Sequence, residues 1–269
     1  MRHNGYELRS AETGLPESEF PPVCPRHSWY LPIKAVVEWI IALVMLIVAA
    51  PILGLLAALV RLTSRGPAFY AQARVGRNGR IFQMYKLRSM RHDCEAETGP
   101  IWSPRNDSRI MPIGRLLRQT HLDELPQLIH VLQGHMSLIG PRPERPELCR
   151  MIEQEIPGFH RRLVLRPGLT GLAQSRLPAD VALHTVRRKL TYDLYYIREV
   201  SPWLDLRIAI STALYLMGTA QHMVGRRLVK RWGASAEYNT ETGELVTEEQ
   251  PQKELEALAA CADQAPLQL

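Results

Sequence analysis

Asp123 and Glu124 are adjacent carboxylates in the stretch HLDELPQLIHVLQG. Arginines crowd the neighbouring turns: Arg118 in GRLLR, Arg142 in GPRPERP and Arg166 in RPGLTG. Turns rich in proline and glycine are rigid, and a guanidinium fixed on one can grip a phosphate through two hydrogen bonds. Such cations keep a nearby carboxylate ionised, and an ionised carboxylate can attack phosphorus to form a covalent intermediate. The neighbouring carboxylate could hold Mg²⁺, which takes oxygen ligands and shares its shell with substrate phosphates. Two acids at a turn before a helix also favour the helix dipole with no chemistry at all. The surrounding arginines are what favour the phosphate reading.

The other reactive side chains offer less. His130 and His135 are five residues apart with no second pair at metal spacing, so both read as structural or solvated. His121, two residues before Asp123, is placed to tune it. The glycines form neither a P-loop nor GxGxxG, and no GxSxG occurs. The cysteines at 24, 94, 149 and 261 form no CxxC pair, which argues against a disulfide framework or a zinc-thiolate site.

Several elements must position these residues. Residues 66–90 read as a hairpin, with two β-prone runs around Gly76-Arg77-Asn78-Gly79. Residues 92–108 read as a polar loop, and 112–120 as a short helix carrying Arg115 and Arg118. Pro126 suits the first turn of a helix that Gly134 ends, and Leu125 before it should be extended. Asp123 and Glu124 would then lie just ahead of a helix N-terminus. Further helices are expected over 146–162 and 182–200, and from Ser201-Pro202 to about Met217. Asp205 would complement the dipole of the last one.

The chain has 269 residues and a formal net charge of +6. That charge is unevenly spread: net −1 over 1–60, +14 over 61–232 and −7 over 233–269. The middle block should attract anions: phosphates, nucleic acid or an acidic membrane surface. Its arginines lie in proline–glycine loops rather than along one helix face, so a nucleic-acid partner is not expected. From Trp39 to Val60 the chain runs 22 residues without a charge, enough to cross a bilayer. The four acids before residue 20 and the late start of the run fit a cleaved signal peptide poorly. Pro51 near its middle bends or breaks the helix. Arg26 and Lys34 precede the run and Arg61 and Arg65 follow it, so the positive-inside rule holds both ends in the cytoplasm. From the residues alone, a kinked spanning helix and a helix that enters, turns at Pro51 and returns are equally compatible.

Four stretches occur in order: TSRGPAFYAQARVGRNGRIFQMYKLRSM, DSRIMPIGRLLRQTHLDELPQLIHVLQGHMSLIGPRPE, RPGLTGLAQ and YDLYYIREVSPWLDLRI. Together they resemble the bacterial sugar transferases, the monotopic phosphoglycosyl transferases, over about residues 33–217. The resemblance implies an α+β fold: a mostly helical, membrane-associated catalytic domain with a small β-hairpin and a re-entrant helix broken at Pro51. The implied organisation is a polar tail (1–32), the re-entrant helix (33–61), a cytosolic transferase domain (62–225), and a basic junction with a flexible acidic tail (226–269). It implies transfer of a sugar 1-phosphate from a UDP-sugar to undecaprenyl phosphate, the first step of exopolysaccharide or O-antigen type assembly, at the cytoplasmic face of the bacterial inner membrane. Asp123 would be the nucleophile, and Glu124 would assist through Mg²⁺ or proton handling. Lys86, Arg88, Arg118 and Arg142 would bind phosphates, and the loop of Arg166 and Thr170 would serve the nucleotide side. Membrane lipid is an implied partner, nucleic acid is not, and self-association stays open. His121 stands where the family commonly has serine, and His135 where it commonly has aspartate. A membrane-anchored scaffold without catalysis is the alternative on the same fold.

Overall fold

The computed structural model of the chain describes residues 23–92, 94, 107–177, 183–216, 236–238 and 245–247. Helix α1, Tyr30–Thr63, is 34 residues long, about 51 Å at helical rise. It is long and apolar enough to cross a membrane. Lys34, Glu38, Ala42, Ala49, Leu53, Leu56 and Val60 are its buried residues, spaced three or four apart and therefore on one stripe. Val36, Val44, Ile47, Val48, Leu55 and Leu62 remain exposed. The helix runs through Pro51 without interruption, so the expected break is not found. Proline removes only its own N–H from the ladder, and packing on both sides of it retains the helical path. Before Pro51, Ala42 joins a core with Phe82, Met84 and Leu128. After it, Leu53, Leu56 and Val60 join Leu87, Met111 and Leu117. One domain thus holds both halves of α1.

Strands β1 (Phe69–Val75) and β2 (Ile81–Leu87) pair antiparallel as the expected hairpin, pairing Tyr70 with Lys86 and Arg74 with Phe82. Asn78 takes the left-handed conformation at the turn. Helix α2 (Pro112–Thr120) follows. A β-carbon on its Gly114 would stand 1.9 Å from the carbonyl oxygen of Ser89, so only glycine lets α2 lie on the chain leaving β2. The next turn departs from expectation. Residues Leu122–Gln127 form a 3₁₀ helix containing both Asp123 and Glu124, and α3 covers only Leu128–Leu132. The Glu124 N–H donates to the His121 carbonyl at 3.1 Å, which closes the turn early and draws Leu125 into it.

Two short parallel strands, β3 (Ser137–Ile139) and β4 (Gly168–Thr170), were not foreseen. Helix α4 stops at Glu155 (Pro146–Glu155) rather than reaching 162, because Pro157 and the left-handed Gly158 divert the chain into a 3₁₀ helix, Phe159–Val164. Helix α5 (Leu172–Arg176) is one short turn, and α6 (Leu183–Glu199) and α7 (Pro202–Leu216) follow as expected. The main core joins α4, the second 3₁₀ helix, α6 and α7 through Ile152, Ile156, Leu190, Leu194, Ile197 and Ile208. Strands β5 (Ala236–Tyr238) and β6 (Leu245–Thr247) form an antiparallel ribbon inside the segment read as a tail. Most of the 92–108 loop and of the C-terminal segment lies outside the described residues.

Charged groups fasten α1 to the domain. The Lys34 ammonium donates to Glu38 at 2.6 Å and to Asp205 at 2.7 Å. The Tyr30 and Tyr196 hydroxyls donate to the two oxygens of Asp205 at 2.8 and 2.7 Å. Glu38 also accepts from the Ile139 N–H at 3.1 Å and from the Ser137 hydroxyl. Lys34 is therefore neutralised inside the protein and is not a free flanking cation. Asp205 is an anchor for α1 beyond any service to its own helix dipole. Removing one member of a buried ionic cluster leaves the others uncompensated, typically at about 3–5 kcal/mol. Lys34→Met should lower stability by that order in urea titrations of detergent-solubilised protein, and the double change Lys34→Met, Asp205→Asn should recover part of the loss.

Candidate active site

A cavity of about 1660 Å³ lies between α1, the hairpin, the Leu122–Gln127 turn and α7, and Asp123, Glu124, Lys86, Arg118 and Arg142 all line it. The Lys86 ammonium donates to Glu124 Oε1 at 2.6 Å. Arg142 donates to the same oxygen at 2.6 Å and to Oε2 at 3.4 Å. Each cation has its own support. His130, 1% exposed, accepts the Tyr85 N–H at Nε2 (3.0 Å) and pairs through Nδ1 with Gln133 Oε1 (3.2 Å). The imidazole is thus the Nδ1–H tautomer, and it pins β2 one residue before Lys86. Burial pulls the His130 pKa down, which keeps it neutral. Arg162 donates to the Arg142 carbonyl at 2.8 Å and is itself held by Asp193 at 2.6 Å.

Asp123 differs from its neighbour. It is 7% exposed, yet among the described residues no hydrogen bond or ion pair engages its carboxylate. Burial pushes its pKa above the ordinary aspartate value, Lys86 and Arg118 pull it down, and Glu124 adds to the rise. Burial would raise Glu124 too, but Arg142 and Lys86 more than offset it and hold that carboxyl well below the usual carboxylate range. One acid is locked as an anion and the other is left loose beside cations, a division of roles typical of paired catalytic carboxylates.

The remaining expected residues divide. The Nε of Arg118 donates to Ser89 Oγ at 3.0 Å, and its charge acts on Asp123. The Arg88 guanidinium donates to the Arg65 carbonyl (2.6 Å) and to the Ser64 carbonyl and hydroxyl (both 2.9 Å). It caps the C-terminal end of α1 and is not drawn into the Glu124 cluster. Thr170 lines the cavity, and its hydroxyl meets that of Thr212 at 2.8 Å. Arg166 is absent from the cavity wall and lies beside Gly134, at the end of α3. His121 is left-handed at φ 57°, and its ring meets Tyr215 edge-on at 5.4 Å. Sequence reasoning missed Arg162, Asp193 and the support role of His130; a buried Arg–Asp pair between distant helices leaves no spacing signal.

Among the described residues no group of three or more His, Cys, Asp or Glu side chains is gathered for a metal. Asp123 and Glu124 suit Mg²⁺ in its usual sparse mode, in which one or two carboxylates are completed by substrate phosphates and water. The open carboxylate of that pair is Asp123, since Glu124 already carries two cationic partners.

The profile of the bacterial sugar transferase family matches residues 29–219. The chain belongs to that family, and it is an enzyme of the phosphoglycosyl transferase type. Among relatives, a Bacillus subtilis protein named for undecaprenyl-phosphate N-acetylgalactosaminyl 1-phosphate transfer is 48% identical over 50% of this chain and 74% of its own length. The UDP-glucose:undecaprenyl-phosphate glucose-1-phosphate transferase of Xanthomonas campestris is 38% identical over 72% of this chain but only 40% of its own length. The exopolysaccharide production protein PSS of Rhizobium leguminosarum is 41% identical over 63% of this chain and 87% of its own.

The depressed pKa of Glu124 has a stability consequence of definite sign. Its ion pairs contribute fully above the ordinary glutamate pKa and are lost as pH falls through the lowered folded value. Asp123, with its pKa raised, works in the opposite sense. Glu124→Gln should therefore cost on the order of 3 kcal/mol at pH 7, with Lys86 and Arg142 left facing each other. The gap to wild type should narrow as the pH is lowered below about 4. Urea midpoints measured across that range check it.

Proposed function

We propose that the chain transfers a sugar 1-phosphate from a UDP-sugar to undecaprenyl phosphate through a covalent aspartyl intermediate on Asp123. The carrying observation is the contrast within one turn: Glu124 bonded to Lys86 and Arg142, and Asp123 unbonded on the wall of the same cavity. The names of the relatives, which include UDP-glucose and N-acetylgalactosamine 1-phosphate transferases acting on undecaprenyl phosphate, support the substrate classes.

In the first half-reaction an Asp123 oxygen attacks the phosphorus that bears the sugar. The bond from that phosphorus to the bridging oxygen breaks, and UMP leaves with the electron pair. In the second, an oxygen of the lipid phosphate attacks the same phosphorus and the Asp123 carboxylate is released. Like-charge repulsion opposes both steps, and Lys86, Arg118 and Arg142 offset it as charge moves across the phosphate oxygens. Mg²⁺ held by Asp123 and Glu124 would supply further neutralisation of phosphate charge when bound.

With UDP-sugar alone, wild type should release UMP once per active site and carry a phosphosugar visible by mass spectrometry. Asp123→Asn should abolish the burst. Full-rate turnover with no adduct, and UMP release only in the presence of lipid phosphate, would mean direct transfer. Because the Asp123 pKa is raised, the first-step rate should fall on acidification from a pH above the ordinary aspartate range, and Lys86→Met should move that acid limb higher still.

The proposed setting is the cytoplasmic face of the inner membrane, with the exposed apolar face of α1 in contact with the bilayer and both its halves held to the domain. Support comes from the apolar face left exposed along α1 and from the burial of both its halves against one domain. A cysteine introduced within the first 25 residues should resist an impermeant thiol reagent applied to intact spheroplasts of a strain whose native cysteines are replaced. Pro51→Leu, which restores a helical N–H, should increase labelling. Efficient labelling of the unsubstituted helix from outside would establish a span.

A further inference from the structure

Beyond Arg142 the cavity continues into a second cationic lobe that the transfer chemistry does not use. Its walls are Gln72 and Arg74 of β1, Glu144 and Arg145 at the entry to α4, and Lys189 of α6. Glu144 organises it, with Arg74 at 3.6 Å from one carboxylate oxygen and Lys189 at 3.3 Å from the other. Arg74 also donates to the Pro143 carbonyl at 3.0 Å and to Gln72 Oε1 at 2.6 Å. Arg74 and Lys189 meet Glu144 and Arg145 meets Glu147, three cations to two acids, so the lobe carries a small positive excess. It is continuous with the reaction centre through the Arg142–Arg145 chain and along the hairpin. Lys86, paired with Tyr70, stands four strand positions from the Arg74 row, about 13 Å.

Resting on the proposed transfer reaction, we propose that this lobe binds the nucleoside monophosphate half of the donor, with Arg145 and Lys189 on the outer phosphate and Arg74 and Gln72 on the nucleoside. The two substrates share a phosphate and differ at the other end, one in a polar nucleoside and the other in an apolar tail. The cavity is correspondingly two-sided. Toward α1 and α7 it is lined by Ile33, Val37, Ile41, Leu206 and Ala209, while the lobe offers an amide and charged groups. The strand positions of Lys86 and Arg74 are about 13 Å apart along the hairpin, so the cavity wall continues past the centre and leaves room there for a nucleoside. The Gln72 amide nitrogen, whose one bond is a long 3.4 Å contact to the Tyr70 hydroxyl, has an N–H to give to a pyrimidine carbonyl. This assignment replaces Arg166, which lies off the cavity wall, as the nucleotide-side arginine.

The test is calorimetric titration of UMP into the full chain in detergent or nanodiscs, for wild type, Arg145→Ala, Gln72→Leu and Lys189→Gln. Arg145 lines the lobe and pairs with the half-exposed Glu147 at 3.6 Å. Arg145→Ala should weaken UMP roughly ten-fold or more, as expected for a lost charge-assisted phosphate contact. It should raise KM for the UDP-sugar in parallel and also slow the single turnover at saturation, because charge grows on the outer phosphate as UMP departs. Arg145→Lys should restore part of the affinity. If wild type binds UMP and all three substitutions leave its affinity within two-fold, the lobe is not the nucleotide site, while the transfer reading stands. If wild type binds no UMP even at millimolar concentration, the lobe assignment fails, and the UMP burst and adduct decide the transfer reading separately.

Discussion

The ion triad of Glu124 with Lys86 and Arg142 is the constraint around which the site is built. A carboxylate taken out of water must be paired, and a guanidinium and an ammonium on one oxygen meet that need. The triad joins three separate pieces of chain: the hairpin, the 3₁₀ turn and the loop after β3. None of these is a long regular element able to set the geometry alone. Each is held from behind by a polar contact: His130 to the backbone beside Lys86, Arg162 to the carbonyl of Arg142, and the His121 carbonyl to the N–H of Glu124. The fold spends its buried polar groups on aiming three side chains. Asp123 is left unbonded because Lys86 and Arg142 aim the donors they use here at its neighbour.

A second set of charges performs the corresponding service for α1. An apolar helix gains little orientation from apolar packing alone, since many rotations about its axis bury similar area. Lys34, Glu38, Asp205 and the two tyrosine hydroxyls remove that freedom at the N-terminal end, and Arg88 does so at the C-terminal end by capping Ser64 and Arg65. Both ends of the helix are thereby fixed to the domain that carries Asp123. Asp123 and the apolar surface then keep a constant relation, as the proposed transfer from a soluble donor to a lipid phosphate requires.

Much of this was legible in the chain, and what was not has physical reasons. The hairpin was readable because Asn-Gly at a turn has few other uses, and α2, α6 and α7 because proline, cap residues and apolar spacing agree on their limits. The carboxylate pair and Arg118 and Arg142 were found from residue type and the rigidity of their turns. The 3₁₀ form of the DELPQ turn was not, because it depends on one hydrogen bond to the left-handed His121 carbonyl, a conformation that a non-glycine residue does not advertise. Arg88 was grouped with the phosphate binders on its motif, yet its partner is a helix end some 23 residues away in sequence. Lys34 was counted as a flanking charge, and only tertiary contact with Asp205, 171 residues on, cancels it. Interactions of that separation leave no local pattern to read.

Charge arithmetic at the centre of the cavity explains why the site needs substrates as much as they need it. Lys86, Arg118 and Arg142 face Asp123 and Glu124, three cations to two acids, so the empty centre holds a small positive excess. A donor with one negative charge on each of its two phosphates reverses that sign on binding. On the proposed reading the second cationic lobe, with Arg74 and Lys189 on Glu144 and Arg145 on Glu147, spreads part of the donor's charge away from Asp123. A lipid phosphate monoester, at about −1.5 to −2 near neutrality, has no such outlet if its tail runs along apolar walls. On that reading its charge falls on the centre itself, where departure of the nucleotide has just removed one phosphate and exposed the same cations. On the proposed mechanism, release of UMP prepares the electrostatics for the second substrate, and the order of the two half-reactions agrees with where the positive side chains lie.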